Sequence, residues 1–299
     1  MRGMNSDKEI IALLQLIDDP DQEVYETVSQ KLLSYGTAVV PKLEALWEVS
    51  DSPLAQSRIE TLIHQTFYLQ LQTELIHWSK ASNPSALEAA LIIAKYRFPD
   101  MDREAILHQF ELMRRNVWLE LNNFLTPLEQ INIINGILYN FFRLKGHDLT
   151  EHNPNLFFVN HTVESRQGNA ISIGILYLTL CEMLDVPIYA IDLPDQFILA
   201  YFDHVYSFED MDEQNAIQRV QFFIDPANGM IYNRNDIMMY LKKNGQYERF
   251  AELTALDSRS VIVLLLEHLA TTYDNIGEPE KAMEIESLIP LIQVQQQPE

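Results

Sequence analysis

The stretch GNAISIGILYLTLCEMLDVPIYAIDLPDQF, residues 168–197, decides the fold class. It opens as a loop and enters an apolar helix near Ala170. Ile173, Leu176, Tyr177, Leu180, Cys181 and Leu184 recur at helical spacing and define a buried face. The triplet Asp185-Val186-Pro187 makes a turn, and IYAIDL (188–193) reads as a strand. Two more strand-like runs follow, FILAYF (197–202) and RVQFFIDP (219–226). Between them lies SFEDMDEQNAIQ (207–218), acidic and rich in loop formers, which reads as a solvated hairpin tip. DPANG (225–229) is a turn signal.

Around this segment the chain is helical. Ile10, Leu13, Leu14 and Ile17 keep helical spacing, and DDPD stops that helix and starts the next, with Asp19 as the expected N-cap and Pro20 in the first turn. Val24, Val28 and Leu32 line the second helix, which Gly36 ends. The pair looks like a HEAT-type repeat, with a weaker echo in NPSALEAALIIAKYRFPD from Asn83. Residues 102–122 and 126–144 extend the helical pattern; Thr126, Pro127 and Glu129 form a capping-box signature. KGHDLTEHNPN (145–155) reads as a loop. Near the C-terminus, Ala270, Tyr273, Gly277 and Ala282 fall at the spacing of one tetratricopeptide-type hairpin, and QVQQQPE (293–299) reads as a frayed end. The reading is an α+β, predominantly helical protein: a helical domain at 1–100, a mixed core at 101–245 and a helical tail at 246–299.

Composition narrows the function. The 299 residues carry a formal net charge of -22 and no basic stripe, so nucleic acid and anionic lipid are poor partners. A single cysteine, Cys181, excludes an internal disulfide and a cysteine metal cluster. No run of about 18 apolar residues is present, and the start, MRGMNSDKEI, lacks an apolar signal-type core. The histidines, with His147, His152 and His161 loosely grouped, show no metal-ligand spacing. The expectation is a cytoplasmic protein with neither cofactor nor metal.

NPNLFFVNHTVESRQGNAISIGILYLTLCEMLDVPIYAIDLPDQF (153–197) followed by FFIDPANG (222–229) resembles the transglutaminase-like superfamily, most closely its bacterial invasion-regulator-like, Sir-B-type branch. The resemblance covers residues 105–230 and implies a papain-like core, with a central helix packed on a small antiparallel sheet. In active members that helix begins with a cysteine, and the facing strands carry a histidine and an aspartate. A thiol at a helix N-terminus ionises readily, the histidine takes its proton, and the aspartate holds the imidazole. Laying Gly168 on the family glycine puts Ala170 at the cysteine, Gln196 at the histidine and Asp225 at the aspartate, with Asp185 where a glycine is usual.

Alanine offers no nucleophile, and a glutamine amide accepts no proton near neutral pH. Cys181 lies eleven residues beyond Ala170, about 16 Å along a helix, out of reach of the same groove. Ser172 stands one turn in, where bonding to backbone is the ordinary role. The resemblance therefore implies a degenerate triad in a cleft flanked by Asn169, Ser172 and Asp195, with Asn153 and Asn160 in the preceding loop. Three functions stay open: a non-catalytic module binding a protein, peptide or small ligand; a hydrolase or transferase using Asp195 and Asp225 as a carboxylate pair; and a helical scaffold. The sequence carries no signal for the oligomeric state.

Overall fold

The computed structural model describes residues 2–194, 196–205 and 217–293, with side chains from Lys8 onward. The chain divides into two compact units, 1–74 with 95–99 and 75–94 with 100–299.

The first unit holds α1 (Arg2–Leu14), α2 (Gln22–Leu33), α3 (Val40–Val49) and most of α4 (Pro53–Ser79). Ile10, Ile17, Val28, Leu32, Leu43, Ile59 and Leu62 pack as its core. The N-cap of α2 is Asp21, whose side chain accepts from Glu23 N, and not Asp19. The Asp19 carboxylate instead accepts from Asp21 N at 2.8 Å, which turns the chain before the helix begins. Arg58 holds that turn from α4, donating to the Ile17 and Asp19 carbonyls at 2.8 and 2.7 Å.

The second unit contains α5 (Ala86–Ala94), α6 (Arg103–Glu120), α7 (Pro127–Asn135), α8 (Val159–Ser165), α9 (Ala170–Glu182), α10 (Arg234–Lys243), α11 (Ser258–Asn275), α12 (Pro279–Glu286) and α13 (Ile289–Gln293). Residues 75–94 belong to this unit. Nearly every side chain of α5 is small or aliphatic, and all but Glu88 are buried, against α8, α9 and α11. A segment apolar all round is an interior helix and not one layer of an exposed repeat. The tail packs into the same unit: α11 and α12 form a hairpin turned at Gly277 (φ +80°), with Ala270, Tyr273 and Ala282 buried.

Among the described residues seven short strands complete the unit: β1 (Lys145–His147), β2 (Gln167–Asn169), β3 (Ile188–Leu193), β4 (Gln196–Phe202), β5 (Val220–Ile224), β6 (Ile231–Tyr232) and β7 (Ala255–Leu256). Five form an antiparallel sheet in the order β6-β5-β4-β3-β7. Its two faces are packed differently. Ile191, Ile198, Ala200, Phe202 and Phe223 meet Ile237 and Leu241 of α10, while α9 lies against β3 and β4 on the other side. Every residue of α9 from Ala170 to Cys181 except Leu178 is buried, which makes α9 the central helix. The fold is thus α+β and predominantly helical. Among the described residues no helix is long and apolar enough to cross a membrane.

Two further local features depart from the sequence reading. Residues 145–147, expected in a loop, form β1, which pairs in parallel with β2 in the register Gly146↔Gly168 and His147↔Asn169. The helix expected over 126–144 is α-helical only to Asn135 and continues as a wider π-helical turn from Gly136 to Phe141. Its start is as expected, with a complete Thr126–Glu129 capping box. The acidic stretch expected as a hairpin tip lies mostly outside the described residues, as do residues 294–299.

Candidate functional site at the start of the central helix

The N-terminus of α9 is assembled from β1, β2 and the turn before α8. Asn169 caps the helix: its Oδ1 accepts from Ile171 N and Ser172 N, each at 3.0 Å. Ser172 Oγ returns the bond by accepting from Asn169 N at 3.0 Å, and it donates to the Leu156 carbonyl at 2.7 Å. Thr162 Oγ1 lies 3.0 Å from the same oxygen. Asn169, Thr162 and Ser172 are all at most 1% exposed. Gly168 is required here, since a Cβ would fall 2.5 Å from Ser172 Oγ and 2.6 Å from Thr162 Oγ1. Ala170, the first helical residue, keeps 8% of its surface and presents only a methyl group.

The Asp225–Gly229 turn closes the opposite side. Asp225 accepts from Ala227 N and Asn228 Nδ2, both at 2.8 Å. The turn is tied to three other elements. Tyr139 of the π-helical turn donates to the Pro226 carbonyl at 2.7 Å, and Asn135 Nδ2 donates to the Gly229 carbonyl at 2.8 Å. Tyr177 of α9 donates to Asn135 Oδ1 at 3.1 Å. Gly146 N of β1 donates to the Ala227 carbonyl at 3.0 Å. Gly174, one turn after Ala170, leaves room for the sheet, because a Cβ there would sit 2.4 Å from the Phe197 ring and 3.4 Å from Pro226. The start of β4 and the Asp225 turn therefore both meet the first turns of α9.

Burial raises the Asp225 carboxyl above its ordinary range, against the two hydrogen bonds that favour the anion. Burial, with the Asp225 charge second, pushes the Tyr139 phenol up, so it stays a donor. The Asp225 shift has a testable sign. With its folded pKa above the unfolded value, the folded state binds the proton more tightly, so this stability is present at acid pH and lost as pH rises through the carboxylate range. Relative to Asp225→Asn, the wild-type unfolding free energy should fall between acid and neutral pH in denaturant titrations. A difference that stays flat or rises would contradict the buried-carboxylate account.

The other sequence-derived candidates are placed as follows. Gln196, the first residue of β4, is exposed; by strand alternation it shares the face of Ile198 and Ala200, whereas Phe197 is the residue turned to α9. Asp195 lies outside the described residues. Asn153 caps a short 3-10 turn, accepting from Asn155 N at 3.1 Å. Asn160 is 1% exposed in α8, and its Oδ1, like Asn169 Nδ2, is buried with no hydrogen-bond partner. Cys181 is fully buried, and burial pushes its thiol far up. His147 bridges Glu151 and Gln167, at 3.0 Å on each side. Among the described residues no three or more His, Cys, Asp or Glu side chains gather as a metal set. Sequence reasoning missed Asn135, Tyr139, Tyr177 and Gly146. Their visible signals were faint: Asn135 and Tyr139 four apart in a helical run that also holds Asn132 and Asn140, and a glycine in a chain with only nine.

The central helix with its capped N-terminus, the facing strands β3 to β6 and the aspartate turn all lie within the stretch that the family comparison matches. The model of the transglutaminase-like superfamily aligns with residues 104–267, more than half of the chain. The chain belongs to the transglutaminase-like superfamily. It is similar to a UPF0162 protein of Buchnera aphidicola subsp. Schizaphis graminum, with 24% identity over 139 residues, 45% of this chain and 46% of that protein. It is also similar to the F-box only protein 21 of Mus musculus, with 28% identity over 87 residues, 25% of this chain and 14% of that protein. The chain thus spans less than half the length of either relative. No solved structure matches it significantly. The superfamily match covers α6 through most of α11, so it includes both the α9 N-terminus and the Asp225 turn.

Proposed function

We propose that this transglutaminase-like protein is a non-catalytic member of the bacterial Sir-B-type branch, working in the cytoplasm as a binding or regulatory module for a protein or peptide partner. The observation that carries this reading is the first turn of α9. Ala170 supplies no nucleophile, and the only nearby hydroxyl on that turn, Ser172, is buried with its proton on the Leu156 carbonyl. A serine can attack only if a base takes its proton, and this one is a structural cap. Cys181 faces the core with its thiol held protonated. Gln196 cannot serve as a base on either face of β4. HEAT-like helices in the first unit and the tetratricopeptide-like hairpin α11–α12 supply further helical surface.

The reading predicts no acyl transfer from peptide glutamine and no hydrolysis of thioesters above the buffer rate. The check is product formation by mass spectrometry with highly purified protein. Turnover that co-purifies with the chain and disappears in Asp225→Asn would replace this reading with an enzymatic one based on that carboxylate.

A further inference from the structure

The end of α9 remote from Ala170 borders an unassigned groove. A cavity of about 570 Å³ lies between Ser82–Pro84, the turn after α9 and the start of α11. A second, of about 520 Å³, adjoins it, and the two share Leu256, Asp257 and Arg259. Leu256 belongs to β7, the outermost strand of the sheet on this side. The larger cavity has an apolar floor that includes Leu178, Val186 and Leu256.

Its charged lining is one-sided: Glu182, Asp185 and Asp257 against Arg259 alone. The Arg259 guanidinium donates to the Ser79 carbonyl at 3.0 and 2.9 Å and to the Ala81 carbonyl at 2.7 Å, and its Nη1 pairs with Asp257 at 3.9 Å, which leaves Glu182 and Asp185 as the acids it does not offset. Asp257 caps α11 through Ser260 N at 2.8 Å. Among the described residues the Glu182 carboxylate accepts only from the Asn83 amide, at 3.5 Å. Asp185 accepts no side-chain hydrogen bond from the described residues, and it occupies a left-handed backbone position (φ +54°) where glycine is the relaxed residue. The turn thus presents two exposed carboxylates, Glu182 and Asp185, beside apolar lining side chains.

We propose that this groove docks an extended segment of a partner protein in which a lysine or arginine lies within two residues of an aliphatic side chain. The cation sits between Glu182 and Asp185, and the aliphatic group covers Leu178 and Leu256. Charge complementarity selects this occupant: an acidic segment would leave carboxylates facing carboxylates, and a purely apolar one would bury Asp185 unpaired. The inference does not depend on the chemistry lost at Ala170.

The test uses the full chain and blocked, fluorescein-labelled octapeptides of equal apolar content, carrying Leu-x-Lys or Leu-x-Glu, in about 0.15 M salt so that the field of the whole acidic chain is screened. The Lys peptide is expected to bind measurably tighter than the Glu peptide. Glu182→Gln with Asp185→Asn should weaken it about tenfold, while the same charge removed at exposed Glu280 and Glu286 of α12 should not. Asparagine tolerates the left-handed position, so the fold is retained, and circular dichroism confirms it. Equal binding of the two peptides, no binding of either, equal loss in the α12 variant, or displacement by spermidine as effective as by unlabelled peptide would each overturn the proposal.

Discussion

Gly146→Ala is expected to destabilise the transglutaminase-like unit by about 3 kcal/mol or more, lowering its melting temperature by roughly 6–12 °C. A Cβ at this position would lie 2.2 Å from the Ala227 carbonyl oxygen, 2.4 Å from Ala227 Cα and 2.6 Å from its carbonyl carbon. All three are backbone atoms, so no rotamer change relieves the overlap. The strand and the turn cannot simply part. Gly146 N donates to that same carbonyl at 3.0 Å, and β1 is fixed in register with β2, which leads into the Asn169 cap. From the other side, Tyr139 and Asn135 hold the turn through Pro226 and Gly229. Separation would cost the Gly146 bond and strand the Ala227 carbonyl, and compression would distort β1. Gly136→Ala is the control: nothing lies within 4 Å of its Cβ and its backbone is helical. It should be neutral or stabilising by up to about 1 kcal/mol. Melting curves followed by circular dichroism decide the matter, and a Gly146→Ala protein that melts with the wild type would remove the β1–turn contact from the account of the site.

A thiol introduced by Ala170→Cys should be alkylated by iodoacetamide at least about a thousandfold faster than native Cys181. Cys181 is fully buried on the core side of α9, and burial favours its protonated form. It reacts only when the core opens, and core openings approach the global stability of several kcal/mol, each 1.4 kcal/mol being a factor of ten. Residue 170 retains 8% exposure at the first position of the helix. There the helix dipole favours the thiolate. The effect should be smaller than at an uncapped terminus, because the Ile171 and Ser172 amides are already bound to Asn169 Oδ1. Peptide mass mapping after a timed pulse separates the two sites. Similar rates at both would mean that α9 is rotated or shifted relative to the described register, and the degenerate-site reading would fall with it.

The legibility of the sequence was uneven for physical reasons. IYAIDL at 188–193 became β3 with the expected bounds, because a short apolar run with Ile188, Tyr189 and Ile191 directly after a proline turn favours a strand. The Thr126 capping box was equally plain, since a hydroxyl and a carboxylate three apart make a purely local pair. β1 and β2 were hidden. Each is three residues long, with a glycine at its centre and no apolar alternation, and their pairing joins positions about twenty apart. The π-helical turn was hidden for a related reason. Its widening shows in tertiary bonds from Asn135 and Tyr139 to a turn about ninety residues later, and no local propensity records it.

At the site the same division holds. Sequence alone determined the chemistry that is present: an alanine at the mouth of an apolar helix, an aspartate in a turn, one cysteine on an apolar stripe. These are properties of side-chain type and helical spacing. The tertiary structure alone decided how those groups are used. It committed the Ser172 proton to a carbonyl sixteen residues earlier, turned Phe197 toward α9, and lifted the Asp225 carboxyl by burial. Those outcomes depend on which distant atoms share a volume from which water is excluded, and a linear pattern does not specify that.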